Sequence, residues 1–186
     1  MTTHTSLAGK LLLAMPGMLD PRFERSVSII CAHDEDGALG IGIGSVREQI
    51  GFRALLEEVG VEPGDTPERQ VLEGGPVEPG RGFILHSNDW SGPETLEVSQ
   101  LCSLSASIEV LRAIATGEGP ERWLMALGYA GWGAGQLEEE MTRHGWYVAE
   151  ASEALIFDTA PEARWMATWR AEGIAPALLA SDSGHA

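Results

Sequence analysis

The stretch from Val27 to Gly44 constrains the fold more than any other part of the chain. Val27, Ile29 and Cys31 alternate with Ser28, Ile30 and Ala32, a run apolar on both faces, as in a central strand. His33-Asp-Glu-Asp-Gly37 then supplies turn chemistry, with Asp36-Gly37 the favoured pair for a tight hairpin. The returning run, Ala38-Leu-Gly-Ile-Gly-Ile-Gly44, puts Ile41 and Ile43 on one face and Gly40, Gly42 and Gly44 on the other. A strand with a bare glycine face lets another segment pack directly on its backbone. An antiparallel hairpin carrying such a ribbon is therefore expected at the centre of the fold.

Further along, Phe52, Leu55, Leu56 and Val59 fall at i, i+3, i+4 and i+7, a short amphipathic helix that stops at Gly60. Residues 62–69 are polar with two prolines and read as a loop. Val71-Leu72, then Glu73-Gly-Gly-Pro-Val77, then Gly82-Phe-Ile-Leu-His86 read as strand, turn and strand, and residues 95–98 as a short strand. Ile108, Leu111 and Ala115 mark a helix that Ser105 or Ser107 caps. Trp123-Leu-Met-Ala-Leu-Gly-Tyr129 is a buried strand by its continuous apolar run, Gly131-Trp-Gly-Ala-Gly135 a loop, and residues 136–144 a helix. Residues 146–148 and 154–157 read as strands. The last helix has capping-box spacing at Thr159 and Glu162, Trp165 and Trp169 at i and i+4, and Gly173 at its end. Hairpins mixed with single helices predict an α+β fold with a mixed, mostly antiparallel sheet. Neither a linker nor a repeat breaks the chain. One domain over residues 1–186 is expected, with an ordered core at about 10–180 and a loose tail at 181–186.

Charge narrows the function classes. Twelve basic against 28 acidic residues give a net charge of −16, and the basic residues are scattered arginines plus the single Lys10. Such a surface repels nucleic acid and anionic membrane, and no basic stripe interleaves with aromatics. The apolar run from Leu11 to Met18 is broken by Pro16 and Gly17, too short to span a bilayer and without the flanks of a signal peptide. A cytoplasmic protein without a membrane partner is expected, with Cys31 and Cys102 as free thiols.

Few segments carry chemistry. Gly131-Trp-Gly-Ala-Gly135, between a strand and a helix, has the context of a phosphate loop but not the spacing, and no lysine follows. Glu138, Glu139 and Glu140 already place anions at that helix start, so a structural reversal is the stronger reading. Cys31 and His33, two apart on a strand, point to one face and are weak candidates for a thiolate–imidazole couple or two metal ligands. Against that, Cys31 sits among Val27, Ile29 and Ile30, which favours a buried inert cysteine. Neither metal-ligand spacing nor a nucleophile elbow occurs, so neither metal nor cofactor is expected. The loop from Met15 to Phe23 is too apolar for one that merely faces water.

The blocks AMPGMLDPRFERSVSIICAHDEDGALGIGIG, GGPV with RGFILH, and ALGYAGWGAGQLEEE, in that order, resemble the signature blocks of the YqgE/AlgH proteins. The resemblance runs from about Lys10 to Ala180. It implies a flattened, partly open barrel-like sheet flanked by helices. The family's activity is not established, and its transcriptional-regulator label came through alginate regulation. Where the family commonly has Asn, a basic residue and Pro after the second strand, this chain has Gly44-Ser45-Val46.

These observations favour a non-catalytic cytoplasmic regulatory protein that binds a small ligand or a protein partner. The alternatives are a DNA-binding regulator and a cysteine-based enzyme or redox sensor using Cys31. Candidate ligand- or partner-binding residues are Met15, Pro16, Asp20, Pro21 and Phe23 in the apolar loop, Gly74, Gly75 and Pro76 in the turn, and His86, Tyr129 and Trp132. If these blocks converge on one concave surface they form a site. If they disperse they serve folding.

Overall fold

The computed structural model describes residues 5–17, 25–143 and 145–178. In chain order its elements are β1 (Leu11–Ala14), β2 (Val27–Asp34), β3 (Gly37–Gly42), β4 (Val46–Gly51), α1 (Phe52–Glu58), β5 (Gln70–Glu73), β6 (Val77–His86), β7 (Thr95–Glu97), β8 (Ser103–Ser105), α2 (Ile108–Ala115), β9 (Trp123–Gly133), α3 (Gln136–Thr142), β10 (Trp146–Ala149), α4 (Glu153–Phe157) and α5 (Arg164–Ala171). The strands form one sheet in the order β10-β1-β2-β3-β9-β6-β8-β7, with β5 also on β9 and β4 on β5. Among these pairings only β5 with β9 is parallel. The sheet curls into a half-barrel flanked by helices.

Alternation of side chains along the strands sorts the core into three groups. The inner face carries Leu11, Leu13, Ile29, Ile41, Ile43 and Ala126, closed over by Trp165 and Trp169 of α5. On the outer face, Val71, Ile84, Met125 and Leu127 meet Phe52, Leu55 and Leu56 of α1 and Val110, Leu111 and Ile114 of α2. Leu12, Ile30 and Trp132 pack with Leu137 of α3 on the other outer half.

β9 holds the halves together because it changes partners along its length. Met125 to Leu127 lie between β5 and β6, whereas Ala130 to Gly133 pair with β3. The switch occurs at Gly128, whose φ of 79° breaks the alternation. Met125 and Leu127 face outward, yet Tyr129 packs inward and Trp132 outward again.

Several expectations need correction. Residues 154–157 are helical in α4, where the Ser152 hydroxyl accepts from the Leu155 N–H at 3.1 Å. A four-residue apolar run does not distinguish a strand from a buried helical turn, and the serine cap decides it. The capping box before α5 does not form, because the Thr159 hydroxyl donates backward to the Ala154 carbonyl. β4 and β8 were hidden by polar composition. Gly131 to Gly133 belong to β9 rather than to a loop, paired through Gly131 with Leu39 and through Gly133 with Gly37. The cap of α1 also comes from afar: Gly51 has no side chain to offer, and the Glu68 carboxylate accepts the Arg53 N–H at 3.0 Å. That bond holds the Glu68 carboxyl below its ordinary range.

Arg164 is the other long-range device. Its buried guanidinium donates to the carbonyls of Leu155 at 2.9 Å and of Ile43 and Ile156 at 2.6 Å, tying α4, α5 and the end of β3 together. Burial lowers its pKa to about 10, which leaves it charged at neutral pH.

Candidate functional site

The glycine-dense blocks meet at a backbone junction. Gly42 N–H donates to the Gly74 carbonyl, and Gly74 N–H to the Leu127 carbonyl, both at 2.8 Å. A Cβ on Gly74 would lie 2.2 Å from the Gly128 carbonyl oxygen, and one on Gly75 only 2.1 Å from the Tyr129 carbonyl carbon. Main chain fills the space a side chain would take at these glycines. Arg47 braces the crossing with a bidentate pair to Glu73, at 2.9 and 2.6 Å, and a bond to the Pro79 carbonyl. Tyr129 turns its ring edge-on to Phe83 at 5.9 Å, and Pro76 is exposed beside the junction.

Trp132 lies on the bare face of β3, where a Cβ on Gly40 would be 3.0 Å from its ring. His86 pairs with Trp123 at the opposite end of β9. Nine positions along β9 separate Trp132 from Trp123, the partner of His86. Met15 packs against the inner core and Pro16 is half-buried, while Asp20, Pro21 and Phe23 lie outside the described residues. Among the described candidates, Gly74, Gly75 and Tyr129 thus meet at the junction, while His86 and Trp132 lie toward the two ends of β9.

Cys31 and His33 do not form a couple. A bulge between Ile30 and Ala32 pairs Ala32 with Leu39 and His33 with Ala38. Cys31 thus turns into the inner core while His33 turns outward. The His33 Nδ1 accepts the Leu7 N–H at 3.0 Å, and its Nε2–H donates to Glu138 at 2.5 Å, fastening β2 to α3. Burial pushes the Cys31 thiol far above its ordinary value and that of Cys102 to about 11, so neither supplies thiolate at neutral pH. Among the described residues no group of three or more His, Cys, Asp or Glu side chains could hold a metal ion.

Space and unsatisfied polarity occur together elsewhere. A half-open cleft of about 180 Å³ lies where α1 and α2 rest on β6 and β9. Its walls are Leu55, Val59, Ile84, Leu111, Met125 and Leu127, and its polar end is Ser105 and Ser107, just before α2. Ser105 belongs to a hydrogen-bond chain with one direction. His86 Nδ1–H donates to the Ser87 carbonyl at 2.8 Å, so its Nε2 accepts from the Ser105 hydroxyl at 2.7 Å. Ser105 accepts in turn from Thr95 at 2.7 Å, and Thr95 from the Gly92 N–H at 3.0 Å. Burial lowers the pKa of His86 and so favours the neutral ring, in which Nε2 is the acceptor. Ser107 differs: its hydroxyl is out of solvent, has no partner among the described residues, and does not cap α2.

Of the candidates from sequence, only His86 adjoins this cleft, through Ser105. Sequence alone offers Ser105 and Ser107 only as helix caps. Their signal was the alternation Ser103-Leu-Ser-Ala-Ser107, hydroxyls at every second position of a buried strand, which spacing alone does not separate from a solvated edge.

Comparison with known proteins agrees with the fold. Residues 11–177 match the family DUF179, AlgH-like. A UPF0301 protein of Novosphingobium aromaticivorans is 57% identical over 180 residues, covering 97% of each chain. One from Rhizorhabdus wittichii is 55% identical over the full length of both. The solution structure of the AlgH protein from Pseudomonas aeruginosa superposes with a TM-score of 0.81 at 38% identity, covering 100% of this chain and 99% of that one. The crystal structure of a Corynebacterium diphtheriae protein, 20% identical with a TM-score of 0.74, shares the fold over 97% of this chain and 94% of its own. This chain belongs to the AlgH-like family.

Proposed function

We propose that this member of the AlgH-like family is a non-catalytic cytoplasmic regulatory protein that binds a small molecule in the cleft between α1 and α2. One observation carries the reading: a concave, mostly apolar cleft walled by Leu55, Val59, Ile84, Leu111, Met125 and Leu127 stays unfilled between the two helices and the sheet. Small-molecule sites are concave and lined mainly by hydrophobic side chains. The mouth includes Val59, 43% exposed, and wall and sheet are continuous, so occupancy would stiffen the contact of α1 and α2 with β6 and β9. That is a route from ligand to surface.

Two features support a role without catalysis. The thiols are buried and protonated, and the Ser105 hydroxyl is held between Thr95 and His86. Direct DNA binding is opposed by the charge of −16 and by arginines engaged within the fold, such as Arg47 with Glu73, Arg122 with Asp158 and Arg164 in the core. Among the described residues no helix is long and apolar enough to cross a membrane.

Val59→Trp tests the site, because a large side chain at an exposed mouth position plugs the cleft without entering the core. In a thermal-shift screen of small molecules, hits on the wild type should be lost in this variant. A ligand at about 100 times its Kd adds about 2.7 kcal/mol, a readable shift. Hits that persist in Val59→Trp, or a screen without hits, would remove the cleft as the site.

A further inference from the structure

We propose that Thr95, Ser105 and His86 form a proton relay, through which a histidine wholly out of solvent takes up a proton from the sheet edge, and that this uptake reverses the direction of the relay. The device does not depend on the cleft or on what occupies it. Register brings the three side chains together. Ser105 of β8 stands directly opposite Thr95 of β7 on one side and Ile84 of β6 on the other, which makes His86 its diagonal neighbour on the same face. Ser103, directly opposite His86, donates instead to the side-chain oxygen of Asn88.

Geometry fixes where the proton enters. His86 and Ser105 are both 0% exposed, whereas Thr95 is half-buried on β7, the last strand of the sheet. The Nδ1–H of His86 already donates to the Ser87 carbonyl, which has no proton to give, so a second proton must arrive at Nε2. Against Nε2 lies the Ser105 hydroxyl oxygen at 2.7 Å, and against that the Thr95 hydroxyl oxygen, also at 2.7 Å. Asp89, in the loop after β6, is the charged group that acts on His86. Trp90 of that loop, Trp123 of β9 and the serines of β8 bring no charge.

The transfers balance. A solvent acid gives one proton to the Thr95 oxygen, the proton that Thr95 held passes to Ser105, and the proton that Ser105 held passes to Nε2. Both hydroxyls end neutral, and His86 ends as the imidazolium. The bonds then run the other way: Nε2–H donates to Ser105, Ser105 donates to Thr95, and Thr95, still accepting the Gly92 N–H, turns its own hydrogen toward water. Protonation inside the molecule is thereby read out as a new donor on the edge strand β7. Burial holds His86 below the ordinary histidine range, against the weaker opposing pulls of the Ser87 carbonyl and Asp89, so the reversal belongs to acid conditions.

NMR of the full chain with isotope-labelled histidine rings, titrated from about pH 8 down to about pH 5, tests the relay, the His86 signals being assigned by their loss in His86→Gln. His86 should carry hydrogen on Nδ1 alone at the start and gain it on Nε2 on acidification, in exchange fast enough to give one averaged signal, and the Thr95 methyl should shift at the same midpoint. Thr95→Val keeps the shape of the side chain and removes the hydroxyl. It should slow the exchange at least about tenfold, because protonation then waits for local opening of the strands. Thr95→Ser, which keeps the hydroxyl, should restore the wild-type rate. Ser105→Ala breaks the relay at its centre, so the Thr95 methyl should cease to follow His86, and this variant carries the test if Thr95→Val does not fold. A rate unchanged in Thr95→Val, a rate as slow in Thr95→Ser as in Thr95→Val, or a Thr95 methyl that ignores His86 in the wild type overturns the relay. So does a His86 that gains no second proton before the whole chain unfolds.

Discussion

Strand β9 passes through two surroundings of opposite character. At Gly128 the crossing with Gly74 and Gly75 is so close that an added methyl would sit 2.3 Å from the Gly75 carbonyl oxygen. Three residues earlier, Met125 borders a cleft of about 180 Å³. The first region carries the densest sequence motifs and is packed main chain against main chain. The second has room, walled by apolar side chains of α1 and α2 and by Ile84, Met125 and Leu127 of the sheet. Motif density here marks where backbones must touch, and space arises where two helices rest on a sheet without filling the gap beneath them.

The sharpest way to break this contrast is to add one methyl in each region. Gly128→Ala combines a left-handed backbone with a main-chain clash, and should lose about 3 kcal/mol or more in urea denaturation. A loss below about 1 kcal/mol would mean the junction relaxes, and the distinction between the regions would weaken.

Titration probes the edge of the cleft next. The folded pKa of His86 lies below its ordinary 6.5. Below pH 6.5 the unfolded chain therefore takes up a proton that the folded chain refuses. The contribution of neutral His86 is fully present above that pH and is lost as the pH falls toward the folded value, by at most about 1.4 kcal/mol per unit. Melts at pH 7.5, 6.5 and 5.5 should show the decline, and His86→Gln should flatten it. An unchanged slope in the variant would place the acid sensitivity elsewhere. Carboxylates with lowered pKa, such as Asp89, which is held down mainly by the Ser87 hydroxyl, act only at lower pH.

The smallest effect is expected from Gly82→Ala, the same chemical change as at Gly128. The nearest atom to the new methyl is the terminal carbon of Met125 at 2.7 Å, the end of a flexible side chain beside open space. Less than about 1 kcal/mol should be lost, together with weaker binding of any cleft ligand as Met125 moves inward. A cost matching Gly128→Ala would show that the cleft is as rigid as the junction.

Legibility divides along physical lines. The hairpin of β2 and β3, the stop of α1 at Gly60 and the split of Ile41 and Ile43 from the glycine face all depend on neighbours within a few positions, and all were readable. The face of His33 was not. One extra residue in the bulge at Cys31 reverses the parity on which same-face reasoning depends. α4 was misread because a short apolar run fits either period, and β8 because its serines look like a loop until the strands around them bury their hydroxyls.

By itself the chain determined most of its secondary elements, its α+β class and the places where backbone must approach backbone, since periodicity, turn chemistry and missing Cβ atoms act locally. Only the tertiary structure decided that β9 reverses its facing at Gly128, that Ser105 meets His86 across 19 residues, and that Ser107 borders an unfilled cleft. Those outcomes depend on how separate elements come to rest against one another. Packing energy is summed over the whole molecule, and no short window of sequence contains it.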